Sequence, residues 1–267
     1  MTAVAVEAIR ETHVAPSRIP LSRIVGVELR KMFNTRSGFW LMASIVIASV
    51  VATGAVILFA PDDELTYSTF GTAIGFPMAV ILPMIAILSV TSEWSQRSGL
   101  TTFTLVPRRG RVVWAKALST IAIGIVSMVL AFGIGAVGNV LGTAITGTPR
   151  VWDASVGDVG LVIFGNVLGM LTGFMLGALI RNSAGAIVAY FVYSFVLPTI
   201  SSLLATGQDW YRHAQGWVDS NFAQSPLFAF DGNLTGEQWA NLAVTTVIWV
   251  ALPLAVGLRL IMRSEVK

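Results

Sequence analysis

The sequence predicts an all-α integral membrane fold with six transmembrane helices, an amphipathic interfacial helix before them, and short external helices between spans 5 and 6. Three observations carry this. The 267-residue chain is 55% hydrophobic and only 12% charged, with a mean hydropathy of +0.76; soluble domains carry about a quarter charged residues. The charges cluster, leaving uncharged runs at 37–61, 65–92, 117–149, 159–180, 182–208 and 238–258. Each run is long enough for a helix crossing about 30 Å of hydrocarbon, which takes roughly 20 residues. Finally, the bases alternate from gap to gap. All but Arg150 and Arg212 of the 17 lysines and arginines fall in the N-terminus, the 93–116 loop, Arg181 or the C-terminal tail. Most of the 14 acids, Asp62, Asp63 and Glu64 among them, fall in the other loops. Cytoplasmic loops retain positive charge, so both termini are expected in the cytoplasm.

Residues 1–20 read as a flexible cytoplasmic arm. With no sustained apolar core it does not resemble a cleaved signal peptide, and the first span is expected to act as an uncleaved insertion signal. Residues 21–36 place Leu21, Ile24, Val25, Leu29, Met32 and Phe33 at helical spacing, with Arg23, Arg30, Lys31 and Arg36 elsewhere. That pattern predicts an interfacial helix whose basic face meets anionic headgroups. The six spans are expected near 39–60, 73–92, 117–143, 159–180, 184–205 and 240–260, within a domain of 21–262 followed by a cytoplasmic tail, 263–267. The aromatic stretch 206–239, with Trp210, Tyr211, Trp217 and Trp239, predicts one or two short external helices. Trp and Tyr favour the membrane–water boundary, so this stretch is either an interfacial anchor or a gate.

Within the spans, Pro77, Pro83, Pro198 and Pro253 predict kinks, static or hinged. Two of them in span 2 point to a bent helix beside a cavity. Gly165, Gly169, Gly173 and Gly177 recur every fourth residue in span 4, the small-residue face that lets another backbone approach closely in lipid. Its partner is either a helix of the same subunit or a subunit–subunit seam. The GIGAVG at 133–138 matches a dinucleotide fingerprint in letters only. It lies inside an uncharged run, without the strand and water-facing helix start the chemistry needs.

Several function classes fall away. Cysteine is absent, which removes disulfides, thiolate metal sites and thiol catalysis. No charged or histidine side chain lies in the core of any span, as ion-coupled carriers generally require. His13 and His213 are the only histidines and have no metal-ligand spacing. There is no phosphate loop, GxSxG or HExxH, so no enzyme activity and no metal site are expected. Nucleic-acid binding is not indicated either: the net charge is a modest +3, and no aromatic-plus-basic strand-reading surface is present. The Asn233–Thr235 sequon reads as accidental.

The densest chemistry lies in the segment SEWSQRSGLTTFTLVPRRGRVVWAK, residues 92–116. Leu100, Phe103 and Leu105 can anchor a short helix, while Arg97, Arg108, Arg109 and Arg111 either contact a partner or simply hold the loop in the cytoplasm. Glu93, an acid among bases at a helix end, calls for an ion pair.

This segment resembles the loop between the second and third helices of ABC-2-type transporter permeases. The resemblance rests on Glu93 and Trp94, Gly99 with Thr101 and Thr102, Thr104-Leu105, Pro107, Arg108-Arg109, and Lys116 opening span 3; Leu100 interrupts the family's Gly-Thr pair. The arginine bias and the wording TLVPRRGR are similar to actinobacterial members. The resemblance implies a permease in the bacterial cytoplasmic membrane that has no ATPase of its own. Two copies of a separate ABC ATPase would bind ATP and Mg, and a second permease copy or paralogue would complete the complex. A cytoplasmic coupling helix between spans 2 and 3 would dock on the ATPase through Glu93, Trp94, Arg97, Leu100, Phe103, Pro107, Arg108, Arg109 and Arg111. The translocation path would be lined by spans 1, 2 and 5, with Ser44, Thr53, Phe76, Tyr190, Tyr193, Phe195 and Thr199 as candidates. These uncharged groups suit export of an amphiphilic or apolar substrate. A non-transporting scaffold or sensor using the same loop to hold a partner is the alternative.

Overall fold

A computed structural model describes residues 20–95 and 109–263. Helix α1 (Leu21–Asn34) is followed by α2 (Arg36–Phe59), α3 (Tyr67–Ser95), α4 (Arg109–Thr146) and α5 (Val156–Ile180). The fifth crossing is assembled from α6 (Ser183–Phe191), a π turn (Val192–Val196) and α7 (Leu197–Gly207). Two short helices, α8 (Asp209–Val218) and α9 (Ser220–Gln224), and a 3-10 turn (Ser225–Phe228) follow. The last crossing comprises α10 (Gly236–Thr246), a second π turn (Val247–Ala251) and α11 (Leu252–Arg263). Among the described residues no strand forms, only an isolated bridge between Thr66 and Val151. Among the described residues six segments are long and apolar enough to cross a membrane: Gly38–Phe59, Tyr67–Ser92, Gly110–Thr146, Val156–Ile180, Ser183–Gly207 and Gly236–Leu260. The chain is a multi-pass membrane protein.

Helix boundaries follow capping chemistry rather than the edges of the apolar runs. Span 2 begins at Tyr67 instead of near 73, because Asp153 caps it from a different loop. Its carboxylate accepts from Ser68 N at 2.8 Å and from Ser68 Oγ at 2.6 Å, placing an anion at a helix N-terminus. Helix α4 runs past the expected range of span 3 at both ends, from Arg109 to Thr146; at its start Arg109, Arg111 and Lys116 are good helix formers. Ser155 and Asp158 form a capping box at the start of span 4, and Thr235 and Gln238 form another before α10. Thr235, the sequon threonine, is therefore a helix cap. Arg181, at φ 55°, ends span 4, and the Asn182 side chain caps the helix that follows.

Spans 2, 3 and 4 make the core. Ile74, Met78 and Leu82 meet Met128, Ala131 and Phe132 from span 3 and Met170, Phe174 and Ala178 from span 4. The GIGAVG segment lies within α4, where Gly135 faces Ile74 and Phe70, and Gly138 faces Thr53 and Phe70. Spans 1, 5 and 6 keep more of their surface exposed.

The glycine face of span 4 packs inside the chain. A Cβ on Gly173 would sit 2.6 Å from the Pro83 carbonyl oxygen and 3.1 Å from its Cα. At Gly177 it would lie 3.2 Å from the Ile87 carbonyl oxygen, whereas at Gly169 the nearest atom, Pro83 Cγ, is at 3.6 Å. Gly165 instead faces the ring of Phe228 from the external segment. Backbone cannot retreat as a side chain can. Gly173→Ala should therefore destabilise by about 1–3 kcal/mol and Gly169→Ala by much less, read as thermal unfolding in detergent. Equal melting temperatures for the two variants would refute this account of the packing.

Candidate functional site

The segment expected to dock on a partner is described only at its edges. Glu93 and Trp94 lie in the final turn of α3, while Arg109 and Arg111 lie in the first turn of α4. Arg97, Leu100, Phe103, Pro107 and Arg108, and with them the expected coupling helix, lie outside the described residues.

Next to this segment, α1 packs against span 3. The buried face of α1 is Ile24 and Glu28, while Val27 and Phe33 are exposed. Glu28, only 3% exposed, accepts from Lys116 Nζ at 2.6 Å and from Lys31 Nζ at 2.7 Å. Lys116, near the start of span 3, is itself buried at 5% exposure. Ser119 Oγ adds a longer contact, 3.4 Å, to the Val25 carbonyl. So α1 docks on the first turns of span 3 through a buried acid as well as through its apolar residues. Burial alone would raise the Glu28 carboxyl; the Lys116 ammonium, helped by Lys31, outweighs that and holds it below its ordinary value of 4.5.

The second feature is a cavity of about 260 Å³ between spans 2, 4 and 5 and the external segment. It brings together Phe76, Tyr190, Tyr193 and Phe195 from the expected translocation path. The other three candidates lie elsewhere. Ser44 Oγ donates to the Leu41 carbonyl, Thr53 packs against Gly138, and Thr199 Oγ1 donates to the Phe195 carbonyl. Sequence reasoning missed Asn166, Asn221 and Gln224, which also line the wall. Asn166 was passed over because a neutral amide does not interrupt a charge-free run, while Asn221 and Gln224 lie in the external stretch, which was read for its aromatic residues.

Prolines shape this wall. Pro83 has no N–H to give the carbonyl of Ala79 one turn earlier, and the Tyr190 hydroxyl supplies that bond at 2.7 Å. In span 5 the π turn shifts the pairing register, so that Leu197 N–H bonds to the Val192 carbonyl. The next donor in that register would be Pro198, which has none. Asn221 Nδ2 donates to the Tyr193 carbonyl in its place, at 3.2 Å. Phe228 and Asn221 thus fold the external segment back onto the bundle, and Trp249 Nε1 adds a hydrogen bond to the Val218 carbonyl, three residues before Asn221, at 2.7 Å. Asn166 Oδ1 is buried and has no hydrogen-bond partner among the described residues. No described residue lining the cavity is charged.

No protein-family profile matches the chain, and no curated protein matches it.

The Glu28 junction yields a prediction of defined sign. A carboxyl held below its unfolded value stabilises the fold above that value and loses the contribution as pH falls through the folded one. Attachment of α1 should therefore be constant from neutral to mildly acidic pH and weaken only below about 4.5. Glu28→Gln should cost about 3 kcal/mol and speed proteolysis within α1 at neutral pH. Unchanged proteolysis in Glu28→Gln would mean that the ion pair does not hold α1.

Proposed function

We propose that this chain is the membrane subunit of an ATP-driven exporter of the ABC-2 permease type, moving an amphiphilic or apolar substrate across the bacterial cytoplasmic membrane. In this reading both termini and the 93–116 loop are cytoplasmic. The membrane subunit contributes no nucleotide chemistry; two copies of a separate ABC ATPase bind ATP and Mg, and a second permease copy completes the transporter. The observation that carries the proposal is the Glu28–Lys116 pair. It fastens α1 to span 3 directly after the basic segment, where a partner pushing on the loop would act. Span 3 is one helix of 38 residues, so displacement of its first turns is passed along a rod rather than absorbed in a hinge. The charge map supports the same arrangement, since bases gather around this junction and acids on the opposite loops.

In the cycle this implies, closure of the ATPase dimer moves the loop, and spans 2 and 3 with it. The path then opens alternately to each side. The uncharged wall lowers the barrier for an apolar cargo, while the lack of charged or histidine side chains in the cores of the spans makes ion coupling a poor fit.

The test is reconstitution with a co-purifying ABC ATPase in lipid vesicles. Stimulation of ATP hydrolysis by the permease, and ATP-dependent substrate movement, are expected. Arg109→Glu and Glu93→Ala should each lower transport about tenfold, within the usual range of inter-site coupling, while insertion and basal hydrolysis persist. Normal transport by both variants would reduce the loop to a topology signal. Failure to associate with any ABC ATPase would favour a scaffold.

A further inference from the structure

Helix α1 is bound to the bundle on one side and open on the other. On the bound side Ile24 is buried, Leu21, Val25, Leu29 and Met32 are half-buried, and Glu28 is paired with Lys116 and Lys31. Residues two apart lie about 200° round a helix, and residues seven apart share a face. Arg30 therefore lies opposite Glu28, with Arg23 on the same face two turns earlier. Both are exposed, as is Arg36 at the start of α2, and none of the three has an ion-pair partner among the described residues. The bases of this stretch are thus divided: Lys31 serves Glu28, and the three arginines remain on the surface.

The depth of this face follows from the chain around it. The uncharged runs of spans 1 and 3 begin at 37 and 117. Helix α1 ends at Asn34 and is fastened to Lys116 by a bond of 2.6 Å, so it lies level with the points where both spans enter hydrocarbon. Trp40, 65% exposed, marks the same boundary, which tryptophan favours. A face turned away from the spans at this depth looks along the membrane plane, into the headgroup layer of the neighbouring lipids. Guanidinium groups there meet phosphates, which they bind in a bidentate fork. A net negative headgroup strengthens that contact about fivefold per base, whereas a zwitterionic one adds little.

We propose that Arg23 and Arg30, with Arg36 at the elbow, form a binding face for the headgroups of anionic phospholipids, and that occupancy of this face holds α1 on span 3. The charge of the bilayer then sets how firmly the Glu28 junction stays closed. The face lies within one chain and requires neither an ATPase nor a second permease, so it stands or falls separately from the exporter reading.

The test uses the purified full chain in nanodiscs of phosphatidylcholine, alone or mixed with phosphatidylglycerol, read by hydrogen exchange of the α1 amides. A ligand that binds the docked helix slows its opening by mass action. Phosphatidylglycerol should slow exchange in α1 at least about tenfold, and soluble glycerol 3-phosphate should not slow it in phosphatidylcholine discs. The double variant Arg23→Gln, Arg30→Gln should abolish the response to lipid charge. Arg212→Gln, which removes an exposed base outside α1, should leave it intact. Equal exchange in the two bilayers overturns the proposal, and that comparison needs no variant. A full response in the folded double variant overturns it, as does loss of the response in Arg212→Gln. Protection by glycerol 3-phosphate would make this a site for free phosphate rather than for the bilayer. Protection by soluble polyglutamate, with none from phosphatidylglycerol, would assign the face to an acidic protein; either result overturns the lipid assignment.

Discussion

Pro83 and Gly173 lie so close that no side chain can come between them, and the rest of the bundle is arranged around that approach. A soluble protein draws helices together by removing apolar surface from water. Helices in lipid have no such drive and depend on close packing. Span 4 meets that requirement with a glycine face laid along span 2 from Pro83 to Ile87. The closeness brings Met170 and Phe174 into one core with Met78 and Leu82. Span 6 reaches the same core on the far side of span 4, where Gly257 lies against Ala178.

Pro83 and Pro198 each leave a backbone carbonyl without its helix donor, and the fold supplies side chains in their place. The Ala79 carbonyl takes its proton from Tyr190, and the Tyr193 carbonyl takes its own from Asn221. Each bond joins elements that are not neighbours in the chain, so two backbone defects become two tertiary fastenings. Both π turns end just before a proline, Pro198 and Pro253. The insertion widens the turn where the ring would otherwise meet the preceding carbonyl.

Much of this could be read from the residues. Charge-free runs marked six crossings, because a charge in hydrocarbon is the strongest signal a sequence offers. The four-residue glycine period marked a close-packed face, though spacing alone left its partner open; the structure lays it on span 2 and on Phe228. The harder features are pairings. Glu28 stands in a segment rich in bases, and only the tertiary fold reveals that its partner is Lys116, whose bond to Glu28 spans 88 positions of sequence. Helices run past the expected spans because capping groups such as Asp153 act from another loop. Asn166 was invisible for a different reason: a neutral side chain does not interrupt a charge-free run, and only the packed helices show that it lines a cavity.

The buried ion pair and the neutral cavity belong to different parts of the molecule, and physical reasons keep them apart. An ion pair inside hydrocarbon would have to recover two desolvation costs from one contact. Near the start of span 3, Glu28 has a second cation, and Lys31 remains half exposed, so part of the pair's field still reaches water. The cavity wall has no such relief and is built from groups that lose least on leaving water. Helix α3 touches both regions, running from Phe76 and Pro83 at the cavity to Glu93 beside the basic segment. Its backbone ladder is interrupted at Pro83, where a tyrosine hydroxyl replaces a main-chain donor. A hydroxyl can follow a moving carbonyl by rotating its own bond, whereas a ladder N–H is fixed to its helix. Bending strain applied at the Glu93 end would therefore concentrate at this turn, directly on the wall of the cavity.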